Sequence, residues 1–169
     1  RVDPLYRQYH LNDSLRLAEY LQIPYRRPVP DPIVQNLETS SIDAHQPYIK
    51  KITLLSQAAA DQGIGLKFIS VIMNFLWNGK NDDWDKDGKL AEECNSNGIN
   101  YTKLDKISES EEIELEQKIS CNQNEQRASG HWGVPLMKYQ NMPFYGQDRF
   151  DLLCWYLTRD GLQKACGEQ

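Results

Sequence analysis

The sequence predicts a helix-rich α/β protein, and three observations support this prediction. Apolar residues recur at helical spacing in most of residues 1–129, which we interpret as a helical lobe. Two short extended runs follow at residues 134–139 and 142–145, and together they predict a hairpin. Helical spacing returns from Phe150 onwards. Residues 130–169 therefore form a separate β-β-α part of a single chain of 169 residues.

The first helix is predicted over about residues 13–22, because leucine and alanine recur there on one face. Asn12 or Asp13 is the expected N-cap, and Pro24 follows the end of the helix. Residues 25–32 contain alternating prolines, which fix the φ angle and remove amide donors. This segment is therefore expected to be an extended, rigid connector.

Two further helices are predicted from their flanking residues. One begins at Pro47, which suits a first helical position, and stops at Gly63, which can adopt the left-handed conformation. The next covers residues 66–77 and ends before Gly79. Because this helix is apolar on nearly every side, we expect it at the centre of the helical lobe.

Two later helices carry fewer apolar residues. A short helix with Leu90 and Cys94 is predicted to stop near Gly98. Ser108, followed three residues later by Glu111, fits a capping box and predicts the start of a long polar helix.

Composition excludes several classes of partner. Nineteen Lys and Arg against twenty-four Asp and Glu give a formal net charge of -5, which disfavours a nucleic-acid partner. No apolar run approaches the roughly 20 residues that span a bilayer, so we expect a soluble, cytoplasmic protein without a membrane partner. The four cysteines show neither a C-x-x-C pair nor the spacing of a zinc site and are expected to be free thiols.

The acidic turn, residues 81–88, leaves a calcium site as an alternative. Asp83, Asp85 and Asp87 match the first three ligand positions of a calcium loop, but Cys94 occupies the place of the final carboxylate. We therefore predict a solvated acidic turn in which Asp87 caps a helix, and no metal site.

Asp148 is the strongest candidate for ligand binding. It precedes the last helix, whose free amides suit a carboxylate, while its own side chain suits an ammonium group. This combination predicts a site for an amino-acid-like zwitterion. The simpler alternative is that Asp148 serves only as an N-cap. The lone histidines are expected to be structural, although His131 lies close to this region.

Two C-terminal segments carry a resemblance to a known family. Residues 130–135 read Gly-His-Trp-Gly-Val-Pro, and residues 144–153 read Phe-Tyr-Gly-Gln-Asp-Arg-Phe-Asp-Leu-Leu. They resemble the C-terminal signature of 2-hydroxychromene-2-carboxylate isomerases and kappa-class glutathione transferases, which belong to the DsbA-like thioredoxin fold. A helix ending at Pro24 and the aromatic end of the 66–77 helix also resemble that family.

The resemblance implies a DsbA-like thioredoxin fold with a large helical insertion. The N-terminal strands of that fold would be missing from this chain. It also implies a glutathione site in which Val134 and Pro135 form the cis-proline pair that holds the cysteinyl part. Gln147 and Asp148 would receive the γ-glutamyl end.

The implied function is glutathione-dependent isomerisation of the 2-hydroxychromene-2-carboxylate type, or a related glutathione conjugation. The resemblance also implies a small aromatic substrate and a possible homodimer. The family's catalytic Ser, or the Cys of its relatives, would lie upstream of Arg1, so the catalytic residue is unknown. Two alternatives remain open: a DsbA-like thiol-disulfide oxidoreductase, and a truncated, non-catalytic binding protein.

Overall fold

The computed structural model describes residues 4–36, 39 and 41–163. Within them the helices are α1 (Pro4–Tyr20), α2 (Pro47–Asp61), α3 (Gly65–Trp77), α4 (Lys89–Ser96), α5 (Tyr101–Ser110), α6 (Glu112–Ala128) and α7 (Phe150–Arg159). The strands are β1 (Leu136–Tyr139) and β2 (Met142–Tyr145). The described protein is therefore helix-rich with one small sheet, as the sequence predicts at this coarse level.

The chain divides into two compact units, residues 1–115 and 116–169. In the first unit, α2 packs against α3 and α5, and α4 packs against α3. The core consists of apolar side chains, of which the most buried are Leu55, Ala58, Ala59, Phe68, Ile72, Leu76, Cys94, Ile99, Leu104 and Leu115. No described helix combines the length and the apolarity needed to cross a bilayer.

The limits predicted for α2 are confirmed. The helix begins with Pro47, whose missing amide hydrogen is not needed in a first turn. After its end Gly63 has a φ of +75°, and the Gly63 amide donates to the carbonyl of Ala60. A left-handed glycine at this position is a common helix stop.

The central position predicted for α3 is wrong. Phe68 and Ile72 are buried, but Leu66 is 91% exposed and Ile69 is 45% exposed. The helix contacts α2 and α4, which cover only one side of it. The apolar residues of α3 lie on all its faces, but only the face that packs against other helices is buried.

The predicted start of α1 is also wrong. The helix begins at Pro4, so Asn12 and Asp13 lie inside it and neither is an N-cap. Its end agrees better with the prediction, because Gln22 adopts a φ of +55° and the Ile23 amide donates back to the carbonyl of Ala18.

The connector, residues 25–32, contains no helix, as predicted. The Tyr25 ring stacks on Trp77 with centroids 5.6 Å apart, and the Arg26 amide donates to the Trp77 carbonyl. Pro28 is buried, and the Val29-Pro30 peptide bond is cis. The connector is thus packed against the end of α3.

The predicted capping box at Ser108 is wrong. Ser108 lies within α5 and is only 2% exposed, and its hydroxyl donates to the carbonyl of Asp105. The helix that follows, α6, begins at Glu112. The cap in this region belongs to α5, where the Asn100 side chain accepts from the Lys103 amide at 3.0 Å. Tertiary burial of Ser108 prevails over its local preference for a cap.

The second unit contains the hairpin and α7. Strands β1 and β2 are antiparallel, with Leu136 opposite Tyr145 and Tyr139 opposite Met142. Gln140 in the turn has a φ of +53°. The observed strand begins at Leu136, two residues later than the predicted strand 134–139. Pro135 has no amide to donate to the ladder.

Candidate ligand-binding site

One hydrogen bond joins the two segments that the sequence singles out. The Gly146 amide donates to the carbonyl of Pro135 at 3.0 Å, one step beyond the last pair of the ladder. Val134 directly precedes Pro135 in the sequence, and Gln147 and Asp148 directly follow Gly146. The four predicted site residues therefore lie around one end of the hairpin, and the Val134-Pro135 bond is cis.

Asp148 does not cap the last helix, so the alternative role predicted for it, as an N-cap, is wrong. It lies in a 3-10 turn, Gln147–Arg149, and the N-cap position of α7 is Arg149, with no side-chain cap. The Asp148 carboxylate is 3.2 Å from the Arg149 guanidinium, and both side chains are more than half exposed. The carboxylate is thus free of the helix amides and accessible from solvent.

Gly146 allows the Asp148 side chain to fold back over the backbone. Its φ of +91° lies in the region that favours glycine. A Cβ atom at this position would also lie 2.5 Å from Oδ1 of Asp148. Glycine at 146 is therefore required by both the backbone conformation and the position of the carboxylate.

Asp148 borders an open cleft of about 670 Å³ in the second unit. Its lining combines aromatic and apolar groups with a carboxylate and a guanidinium: Asn141, Met142, Pro143, Phe144, Tyr145, Asp148, Arg149, Leu152 and Tyr156. Val134, Pro135 and Gln147 lie outside this lining. The cleft thus includes one predicted site residue and suits a small ligand with both charged and apolar parts.

The loop before the cis-proline is held by contacts that the sequence analysis did not find. The His131 ring stacks on Tyr145, with centroids 4.0 Å apart, and its Nδ1 accepts from the Gly133 amide at 2.9 Å. Gln126 in α6 donates to the carbonyls of Trp132 and Gly133. These contacts give His131 a structural role, as expected.

Gly133 is the sequence feature that could have revealed this packing. It is buried, and a Cβ atom there would collide with the Tyr145 ring and lie 2.9 Å from Cε1 of His131. Only glycine leaves room for the ring. Val134 itself remains 76% exposed beside it.

The far end of the hairpin is attached to α7. The Tyr139 hydroxyl and the side-chain Nε2 of Gln140 both donate to Oδ2 of Asp160, at 3.1 and 3.2 Å. Hydrogen bonds, above all from Arg159, hold the pKa of the Asp160 carboxyl below its usual value. These contacts hold the end of β1 and the turn that leads into β2, the strand that lines the cleft.

The carboxylates of the acidic turn interact with neighbouring side chains and do not form a metal site among the described residues. The Asp83 carboxylate accepts from Nζ of Lys86 at 2.9 Å, and this pairing lowers the pKa of Asp83. The negative charge of Asp85, together with burial, raises the pKa of the Tyr48 phenol. Asp87 does not cap α4, because the N-cap is Gly88 and no side chain bonds there. Among the described residues no group of three acidic, His or Cys side chains is arranged to hold a metal ion.

Three cysteines lie in the described part of the chain, and all three are free thiols: Cys94, Cys121 and Cys154. Burial, with a smaller effect of Glu93, raises the pKa of the Cys94 thiol to about 11. Cys121 is exposed. The fourth cysteine, Cys166, lies outside the described residues.

Comparison with known proteins provides no relative. No family model matches the chain, and neither the characterised proteins nor the solved structures contain a match.

Proposed function

We propose that this chain carries the glutathione-binding part of a glutathione-dependent isomerase of the 2-hydroxychromene-2-carboxylate type, or of a related glutathione-conjugating enzyme with a DsbA-like thioredoxin fold. The observation that supports the proposal most is the hydrogen bond from Gly146 to Pro135. It holds together the two segments that the resemblance assigns to glutathione.

The backbone of Val134 is available to the cysteinyl part of glutathione. Within the described part of the chain its amide and carbonyl make no hydrogen bond, and the residue is 76% exposed. A peptide in an extended conformation can therefore add to this segment as a short strand, since backbone pairing is a common mode of peptide recognition.

The γ-glutamyl end carries an ammonium group and a carboxylate, and we assign it to Gln147 and Asp148. The Asp148 carboxylate is accessible and lies at the edge of the cleft, where it can pair with the ammonium group. The Gln147 side chain is exposed and can donate to the carboxylate. The aromatic part of the cleft lies beside this end.

In the proposed reaction, glutathione thiolate adds to the conjugated double bond of a small aromatic substrate. The double bond becomes single, rotation follows, and expulsion of the thiolate restores the double bond in the other isomer. Glutathione is regenerated, so no further reactant is needed. We assign no residue of this chain to thiol activation. The proposal includes a cytoplasmic location, where reduced glutathione is plentiful, and a homodimer.

Calorimetric titration with glutathione tests the assigned site. Asp148→Asn keeps the shape of the side chain and removes its charge, and we expect it to weaken binding by about threefold to tenfold, because the carboxylate is exposed to solvent. Asp151→Asn is the matched control, since Asp151 is exposed, lies in the first turn of α7 and does not line the cleft. Equal affinities for both variants would contradict the site.

An activity assay separates the proposal from its alternatives. Isomerisation of 2-hydroxychromene-2-carboxylate that requires added glutathione supports the isomerase. Reduction of insulin disulfides without isomerisation would favour the thiol-disulfide oxidoreductase. Glutathione binding without either activity would favour a non-catalytic binding protein.

A further inference from the structure

A second cavity lies entirely within the first unit and is independent of the proposed glutathione site. Its volume is about 330 Å³, and it opens between the first turn of α2, the acidic turn and the beginnings of α4 and α5. Ligand pockets usually occupy about 300–1,000 Å³, so this cavity has room for a small molecule.

The apolar wall of the cavity is held in place by contacts from other segments. Trp84 is 3% exposed, and its Nε1 donates to the Pro30 carbonyl at 2.7 Å, which fixes the plane of the indole. The Tyr48 ring meets Trp84 edge-on, with centroids 5.5 Å apart. Tyr101 and Leu90 complete the wall. Aromatic side chains therefore form one wall of the cavity, and contacts with other segments hold them in place.

The charged side chains of the lining are mostly lysines, in a chain whose net charge is -5. Lys51, Lys86 and Lys89 line the cavity, together with one carboxylate, that of Asp85. An ammonium group with spare donors beside aromatic rings is suited to a flat anion, because the rings contact its faces and the ammonium group pairs with its charge.

The three lysines are not equivalent. Lys51 is paired with Asp105, and Lys86 is paired with Asp83. Lys89 instead donates to a neutral group, the backbone carbonyl of Asp82, at 2.9 Å. Because an ammonium group has three donors, Lys89 retains hydrogen atoms for an anion.

From these observations we infer that the cavity binds a small aromatic carboxylate, with its ring against Trp84 and Tyr48 and its carboxylate on Lys89. The inference uses no residue of the glutathione site, so either can fail without the other.

The affinity of the intact chain for 2-naphthoate, compared with its neutral isostere 2-naphthamide, tests this inference. We expect saturable binding of 2-naphthoate, at least about tenfold tighter than that of the amide, because a charge-assisted hydrogen bond is lost in the amide. This comparison needs no variant, so it does not depend on the stability of a mutant. Equal affinities, or no saturable binding at millimolar concentration, would overturn the inference.

Location is tested with a matched pair of variants and by NMR. Lys89→Met removes the charge at similar length and should weaken 2-naphthoate binding by about tenfold. Lys80→Met is the control, because Lys80 is exposed and does not line the cavity, and it should leave the affinity unchanged. The indole N–H resonance of Trp84, assigned with Trp84→Phe, should shift on titration. Shifts confined to residues 141–156, or equal effects of the two lysine variants, would overturn the assignment.

Discussion

Trp84 and Pro30, far apart in the sequence, are joined by a hydrogen bond of 2.7 Å from the indole Nε1 to the proline carbonyl. Next to it, the Asp83 amide donates to the carbonyl of Val29. The two bonds attach the acidic turn to the proline-rich connector. The turn is therefore solvated at its carboxylates but anchored by its one buried aromatic side chain.

We expect Trp84→Phe to lower the free energy of unfolding by about 1–3 kcal/mol, because the Pro30 carbonyl loses its donor while the ring position stays apolar. Urea denaturation followed by far-UV circular dichroism measures the change. Tyr20→Phe is the control, since Tyr20 is 81% exposed in the same unit and should change little. A loss for Trp84→Phe no larger than that of the control would contradict the anchoring role.

We expect no saturable response of the acidic turn to calcium. The Asp83 carboxylate is paired with Lys86, and the twelfth position is the buried Cys94. Calcium binding would have to break the Asp83–Lys86 ion pair without gaining the bidentate carboxylate.

Tryptophan fluorescence up to millimolar calcium checks the absence of a site. The same titration of Trp84→Phe separates the signal of this turn from those of the other tryptophans. A saturable change that disappears in Asp85→Asn would establish a site and refute the expectation.

Local chemistry explains which elements the sequence could predict. Pro47 and Gly63 set the limits of α2 through their own backbone preferences, and both limits are found in the structure. The turn at Gln140 likewise follows from extended runs on both sides. Such features depend on neighbours in the chain and are visible in the sequence.

Other features depend on contacts between distant residues. Ser108 has the local pattern of a cap but is buried within α5, next to Lys51 of α2. The exposed face of α3, marked by Leu66, depends on which helices pack against it. In the candidate site, the stack of His131 on Tyr145 depends on the hairpin register. The local pattern indicates neither the burial of Ser108 nor the exposed face of α3, and Gly133 is the one local sign of the stack.

Gly133→Ala is expected to destabilise the loop before the cis-proline. The new methyl group would collide with the Tyr145 ring and lie 2.9 Å from Cε1 of His131. Overpacking of this kind costs about 1–3 kcal/mol, and the displaced loop should also weaken glutathione binding. Urea denaturation measures the first effect and calorimetry the second.

A double variant tests whether the Tyr145 ring causes this loss. Tyr145→Leu removes most of the ring that the methyl group would meet, so Gly133→Ala should cost less in that background than in the natural chain. The same cost in both backgrounds would show that another contact limits residue 133.

The thiol of Cys94 is expected to make stability fall at alkaline pH. Burial raises its pKa from the ordinary 9.0 to about 11, so the folded protein keeps a proton that the unfolded chain loses. The stabilisation that the protonated Cys94 thiol gives the folded protein is complete below pH 9.0, and it is lost as the pH rises towards 11. Over this interval the thiol accounts for about 2 kcal/mol of the decrease in unfolding free energy.

Unfolding free energies measured by urea denaturation at several pH values distinguish this thiol from other groups. Cys94→Ala removes the titration, so its stability should fall less steeply over the interval than that of the natural chain, even though the variant is less stable at neutral pH. Tyr101, whose pKa burial raises to about 12, contributes a slope of the same sign in both proteins. Cys121→Ala is the control, because Cys121 is exposed and should leave the slope unchanged. If Cys94→Ala instead keeps the full slope, the buried thiol is not the group that titrates.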